Sequence, residues 1–112
     1  MDKQRFLITG GSQGIGAPLV ALARTAGHEV VFTGRNESRI TKVAADTGAH
    51  GLRADVSDGG DNARTVDACR ERMGGVDVLV NNAAFGYIAG AGEIPYLGVG
   101  AFVAFPASFL HR

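Results

Sequence analysis

The chain has 112 residues, which is enough for one small domain. Hydrophobic residues make up 46% of it and charged residues 20%, a composition typical of globular proteins rather than disordered or fibrous ones. Eleven basic residues balance eleven acidic ones, so no net charge favours binding to nucleic acid or anionic lipid. The single cysteine, Cys69, excludes an internal disulfide and a zinc site of several thiolates. No apolar signal segment precedes the first apolar run, so we expect a cytoplasmic protein.

The first predicted unit is a strand followed by a helix. Residues 5–9 form a short apolar run bounded by glycine, which predicts a buried strand. The apolar period then changes to that of a helix, which Gly27 is suited to end. The residues predicted on the buried face of this helix are Ile15, Leu19, Leu22, Ala23 and Ala26.

The same alternation continues along the chain. Apolar runs predict further strands over residues 29–33, 50–54 and 76–80. Asn36 is suited to cap a second helix that Gly48 closes, and a third helix is predicted to begin at Ser57 or Asp58. The residues predicted on the buried face of the third helix are Ala63, Val66, Cys69 and Met73. Strands that alternate with helices of this length predict a doubly wound parallel α/β sheet with right-handed crossovers.

The composition changes after residue 84. From residue 85 to the end only Glu93 and Arg112 carry a formal charge, against 20 charged residues before them. The uncharged run 94–110 is interrupted by prolines and glycines and is shorter than the roughly 20 apolar residues of a membrane helix. We interpret residues 85–112 as an apolar, glycine-rich tail. It is either the start of a further natural segment or the product of a changed reading frame or artificial stop.

A glycine-rich loop, Thr-Gly-Gly-Ser-Gln-Gly-Ile-Gly over residues 9–16, joins the first strand to the first helix. A loop in this position aims free backbone N–H groups and the positive end of the helix at one point, which suits a pyrophosphate. Gly10 would permit the tight turn, Gly14 the approach of a phosphate, and Gly16 close packing of helix and strand. No Gly-Lys-Ser/Thr follows, so a P-loop is excluded. The alternative is a flexible turn that binds nothing.

The end of the second strand bears on which nucleotide binds. An acidic residue there would bind a ribose 2′-hydroxyl and repel a 2′-phosphate, but this chain has Gly34 and Arg35. The planar guanidinium of arginine suits a phosphate. This pattern favours NADP over NAD, and the alternative is a solvated arginine beside a helix cap.

Three motifs in this order resemble those of the short-chain dehydrogenase/reductases, which are NAD(P)-dependent oxidoreductases with a Rossmann fold. They are the loop over 9–16, Asp55-Val56 after the third strand, and Asn-Asn-Ala-Ala over 81–84. The resemblance covers residues 5 to about 95 and implies the strand order 3-2-1-4. Most members of the family have glycine where this chain has Ala84.

The resemblance also implies a set of cofactor contacts. Ser12, Gln13 and Ile15 would line the cofactor phosphates. Asp55 would accept a hydrogen bond from the adenine amino group, and Val56 would lie against the ring. The residues expected beside the adenosine ribose are Asn81 and Ala83, and Asn81 would also brace the central strands. Taken alone, Asp55 is equally consistent with a helix-start carboxylate, and residues 81–82 with an Asx turn.

The acid/base pair of this family, a tyrosine with a lysine four residues later, is not found in the sequence. Tyr87 and Tyr96 are followed at that spacing by Ala91 and Gly100, and the last lysine is Lys42. We therefore predict no catalytic residue and no turnover by this chain alone. Residues 1–84 would be an NAD(P)-binding half of a Rossmann fold, truncated after about four strands.

Two alternatives to this interpretation remain. One is a non-catalytic dinucleotide-binding or interaction module, and the other is a gene remnant. In each case the fourth strand is expected to be an exposed sheet edge through which the chain can associate.

Overall fold

The computed structural model describes residues 3–12 and 14–82, in which strands and helices alternate. The strands are β1 (Arg5–Thr9), β2 (Glu29–Gly34), β3 (His50–Arg53) and β4 (Val78–Asn81). The helices are α1 (Gly16–Thr25), α2 (Glu37–Thr47) and α3 (Gly59–Met73). The predictions made for Gln13, Ala83 and the tail over 85–112 lie outside the described residues.

The four strands form one parallel sheet in the order β3-β2-β1-β4, which confirms the predicted fold class and strand order. The chain moves outward from β1 through β2 to β3 and then returns to place β4 on the other side of β1. The carboxyl ends of all four strands therefore meet at one edge of the sheet, with the switch in direction between β1 and β4. Ligands of doubly wound sheets bind at such a switch point.

The core has two layers because successive strand residues point to opposite faces of the sheet. The layer beneath α1 and α2 is built from the buried residues Ile8, Val20, Ala23, Val30, Phe32, Ile40, Ala49 and Val80. The layer beneath α3 is smaller and is built from the buried residues Leu7, Val31, Cys69 and Val76. Packing on both faces holds the four strands in place, and the strands in turn position the loops at the carboxyl edge of the sheet.

Each of the three helices has an end signal that was predicted for it. Gly27 directly follows the C-cap of α1 in the left-handed region with φ +94°. The Asn36 side chain accepts a hydrogen bond from the backbone N–H of Arg39 at 3.0 Å, and Gly48 ends α2 in the left-handed region with φ +81°. Of the two residues proposed to start α3, Asp58 is the cap, and it accepts from the N–H of Asp61 at 3.0 Å.

The predicted buried face of α1 is partly wrong. Leu22 is 66% exposed and Ile15 is 48% exposed, whereas Val20 is fully buried. The face that meets the sheet is Gly16, Val20 and Ala23, which has the same i, i+4, i+7 spacing as the predicted stripe but starts one residue later. In α3, Ala63 is likewise exposed and Thr65 is buried in its place. Within residues 3–12 and 14–82, no helix has the length and apolar character needed to cross a membrane.

Candidate dinucleotide-binding site

The glycine loop between β1 and α1 is packed tightly on one side and open on the other. Gly10 has φ +68°, and a Cβ there would overlap the carbonyl oxygen of Asn82. A Cβ on Gly16 would overlap the carbonyl oxygen of Gly10. Gly14 also has a positive φ of 57°, but within the described ranges no atom outside its two chain neighbours lies within 4 Å of where its Cβ would be. The loop is therefore open at Gly14, and the approach of a phosphate there stays a prediction.

The amino end of α1 differs from those of the other two helices. Ile15 occupies its N-cap position and provides no side-chain hydrogen bond, and the first turn contains no acidic residue. By contrast, Asn36 caps α2 and Asp58 caps α3. The first N–H groups of a helix need acceptors, and an anion is a suitable one.

A hydrogen-bond network ties the end of β4 to this loop. Thr9 Oγ1 donates to Asn81 Oδ1 at 2.9 Å and accepts from the backbone N–H of Asn82 at 3.1 Å. The Asn82 side-chain amide donates to the Gly10 carbonyl at 3.2 Å. Asn81 thus links β1 to β4, as the family resemblance implied. Thr9 and Asn82 were not predicted as site residues, although they lie in two of the three motifs that carry the resemblance, Thr9 in the glycine loop and Asn82 in the motif over 81–84.

Ser12 lies against the end of β2. It is buried, and a Cβ on Gly34 would overlap its hydroxyl oxygen. The N–H of Gly11 donates to the Thr33 carbonyl at 2.8 Å, which fixes the loop to the strand. The missing side chain at Gly34 therefore leaves room for Ser12, and the exposed Arg35 follows immediately.

The Asp55 carboxylate lies in the loop after β3. Its Oδ1 accepts hydrogen bonds from the Ser57 hydroxyl at 2.7 Å and from the Ser57 backbone N–H at 2.9 Å. These two bonds, with a smaller contribution from the charge of Arg35, hold the pKa of Asp55 below its usual value. Asp55 is therefore ionised at neutral pH and available as a hydrogen-bond acceptor.

A cleft of about 260 Å³ opens on the α3 side of the sheet near its carboxyl edge. Its apolar wall is formed by Leu7, Ala54, Val56, Val66 and Leu79. Its polar groups come from Thr9, Thr33, Asn62, Thr65 and Asn81. The Thr33 hydroxyl is buried and has no hydrogen-bond partner among the described residues. Apolar walls with a few polar groups are typical of small-molecule sites.

The predicted site residues within the described ranges all lie at or next to this edge of the sheet. Gly10, Ser12, Gly14, Ile15 and Gly16 belong to the β1–α1 connection, Arg35 follows β2, Asp55 and Val56 follow β3, and Asn81 ends β4. The described ranges hold no cluster of three or more histidine, cysteine or acidic side chains arranged for a metal ion.

A parallel sheet in the order 3-2-1-4 with a glycine loop after β1 is the arrangement found in doubly wound α/β proteins that bind nucleotides. Residues 4–96 match the family model described as short chain dehydrogenase, and the chain belongs to this family of oxidoreductases.

Individual relatives agree with this assignment. The chain is 38% identical over 79 residues to 3-beta-hydroxysteroid dehydrogenase of Comamonas testosteroni, covering 69% of this chain and 31% of that protein. It is 38% identical over 84 residues to gluconate 5-dehydrogenase of Gluconobacter oxydans, covering 70% and 33%. The structure is similar to 3-ketoacyl-(acyl-carrier-protein) reductase from Brucella melitensis complexed with NADH, with TM-score 0.71, 32% identity and coverage of 75% and 35%. The chain thus spans about a third of the length of these proteins.

Proposed function

We propose that this chain is the cofactor-binding part of an NADP(H)-dependent short-chain oxidoreductase and binds the dinucleotide at the carboxyl edge of its sheet. The observation that carries the proposal is the glycine loop, which is closed by packing at Gly10 and Gly16 and open at Gly14. A pyrophosphate would occupy the open side and accept from the uncapped N–H groups of α1. The glycine loop and the amino end of α1 therefore fit the pyrophosphate of a dinucleotide.

The adenosine end of the cofactor would lie across the ends of β2, β3 and β4. The ionised Asp55 would accept from the adenine amino group, Val56 would contact the ring, and Asn81 would lie beside the ribose. Arg35 would bind the 2′-phosphate, and Gly34 places no carboxylate there to repel it. The nicotinamide ring supplies the hydride chemistry, and the protein positions and orients it.

The tyrosine and lysine pair of the family does not occur in the sequence, so we propose that the 112-residue chain binds NADPH without turnover. NADPH-dependent reduction of a carbonyl compound by the purified chain would contradict this part of the proposal. The buried, unpaired Cys69 fits the reducing cytoplasm, where we place the protein.

Cofactor choice is tested by titrating NADPH and NADH against the wild type and Arg35→Ala. A charge-assisted bond to phosphate predicts a loss of about 10- to 100-fold in NADPH affinity, with NADH affinity little changed. Arg72→Ala is the matched control, because it removes the same exposed charge near the carboxyl end of α3, away from the site. Equal losses for the two cofactors, or no loss, would contradict the assignment of Arg35.

A further inference from the structure

The loop between β3 and α3 is held by the first turn of α3 in an unusual way. Asp58 caps the helix, so Asp61 occupies the third helical position. A glutamate or glutamine at that position commonly bonds back to the N–H of the cap residue. Here the N–H of Asp58 donates to the Asp55 carbonyl at 2.9 Å, and Asp61 Oδ2 instead accepts from the N–H of Asp55 at 2.9 Å. The first turn of α3 thus bonds to Asp55, three residues before the N-cap residue Asp58.

The next residue of α3 holds the next residue of the loop. The Asn62 side-chain amide donates to the Val56 carbonyl at 3.0 Å. Consecutive side chains of the helix therefore fix the backbones of Asp55 and Val56, the two residues assigned to adenine.

The charge on Asp61 makes its contact a strong one. Arg64 bonds to the other carboxylate oxygen, Oδ1, and the N–H of Asp55 bonds to Oδ2. The hydrogen bond from Arg64 is the largest cause, and that from the Asp55 N–H the next, of a pKa of Asp61 below its usual value. An ionised acceptor forms a stronger hydrogen bond to a backbone N–H than a neutral one. The backbone N–H of Asp55 is therefore held by a charged acceptor from the first turn of α3.

We propose that Asp61 is a positioning residue for base recognition: by fixing the Asp55 backbone it aims the Asp55 carboxylate at the exocyclic amino group of adenine. Asp61 thereby sets how strongly the site distinguishes adenine from a base without that amino group. This inference rests on the proposed function, because it requires the dinucleotide to bind at this edge of the sheet.

The test compares NADPH with its hypoxanthine counterpart, in which oxygen replaces the amino group. The dissociation constants of both are measured with the 112-residue chain. A bond from the amino group to a carboxylate predicts about tenfold tighter binding of NADPH by the wild type. In Asp61→Ala this ratio falls close to one, mainly through weaker NADPH binding. Asp61→Asn, which keeps a neutral acceptor, gives an intermediate ratio.

Asp67→Ala is the matched control, since Asp67 pairs with Arg70 at the same i, i+3 spacing on α3 that Asp61 has to Arg64. This variant is expected to keep the wild-type ratio. General destabilisation lowers both affinities together and leaves the ratio unchanged, so the ratio separates positioning from a structural role.

Each result other than the expected one contradicts a particular part of the proposal. An unchanged ratio in Asp61→Ala, including an equal loss for both ligands, overturns the positioning role and leaves the proposed function intact. A loss of discrimination in Asp67→Ala as well overturns the assignment to Asp61. A wild type that binds both ligands equally overturns the role of Asp55 and with it this inference. A wild type that binds neither overturns the proposed function itself.

Discussion

Gly14 and Gly16 lie two residues apart in the glycine loop but have different surroundings. A methyl group on Gly16 would overlap the Gly10 carbonyl, so we expect Gly16→Ala to cost about 1–3 kcal/mol of folding free energy through forced backbone shifts. Gly14→Ala meets no neighbouring atom and is expected to cost about 1–2 kcal/mol, from the left-handed backbone alone.

Urea unfolding combined with NADPH titration distinguishes the two variants. Gly14→Ala should lose more affinity than its stability loss explains, because its methyl group occupies the open side of the loop. A Gly14 variant that binds NADPH as the wild type does would contradict this account.

Residues with local signals were predictable, and residues that act through tertiary contacts were not. Asn36, Gly48 and Asp58 cap helices in the structure as their sequence positions indicated. Asn82 braces the glycine loop only because the parallel register of β1 and β4 places Asn81 beside Thr9. Single-sequence reasoning does not determine that register, so the role of Asn82 emerged only from the structure.

At the scale of the elements, the helix periods were predicted better than the helix orientations. In α1 the stripe that begins at Ile15 and the stripe that begins at Gly16 have the same spacing, and hydrophobicity favours burial of the first. The structure buries the other one, because Gly16 allows the helix to approach the Gly10 carbonyl closely. The close approach of the two backbones requires a small residue on the buried face of α1, and hydrophobicity alone does not predict that face.

The packing of α3 on the sheet buries Cys69 against Leu7 and Val31. Burial raises the pKa of the Cys69 thiol to about 12, whereas the unfolded thiol ionises near its usual value of about 8.5. Between these two pKa values the Cys69 thiol is protonated in the folded state and ionised in the unfolded state. The resulting stability is fully present below about pH 8.5 and is lost progressively as pH rises towards the folded value.

We expect the contribution of Cys69 to the free energy of unfolding to fall by about 1.4 kcal/mol per pH unit above about pH 8.5. The measurement is the free energy of unfolding in urea from about pH 7 to about pH 10, a range that spans the ordinary thiol pKa. Cys69→Ala, which has no thiol to titrate, is the control and should lack this component of the slope. Equal slopes in the two proteins would show that the thiol is not held protonated.

At the scale of the whole molecule, the doubly wound sheet was predictable because each strand and helix has its own apolar period and its own end signals. The strand order came from the family resemblance, since several orders satisfy the same alternation. In the described residues β4 pairs with β1 alone, and association through this edge stays a prediction. The cleft beside α3 was not predicted, because it depends on how far that helix lies from β1 and β4.

At the edge of the sheet opposite the site, a long-range ion pair between Arg5 and Asp77 joins β1 to β4. The Arg5 guanidinium donates to the Asp77 carboxylate at 2.8 Å and 2.9 Å, and the Arg5 backbone N–H donates to the same group at 2.9 Å. The N–H of Asp77 returns a bond to the Arg5 carbonyl at 2.8 Å. Both side chains are about three-quarters buried, so the pair that joins the start of β1 to the start of β4 is partly shielded from water.

Asp77→Asn is expected to lower the free energy of unfolding by about 1–3 kcal/mol, between the values for exposed and buried pairs. Asp46→Asn breaks the exposed Lys42–Asp46 pair and should change stability by less than about 0.5 kcal/mol. Both variants keep the carboxyl edge intact, so NADPH affinity measured under fully folded conditions should stay at the wild-type value. An Asp77 variant as stable as the Asp46 variant would mean that backbone pairing of β1 with β4 holds this edge without the ion pair.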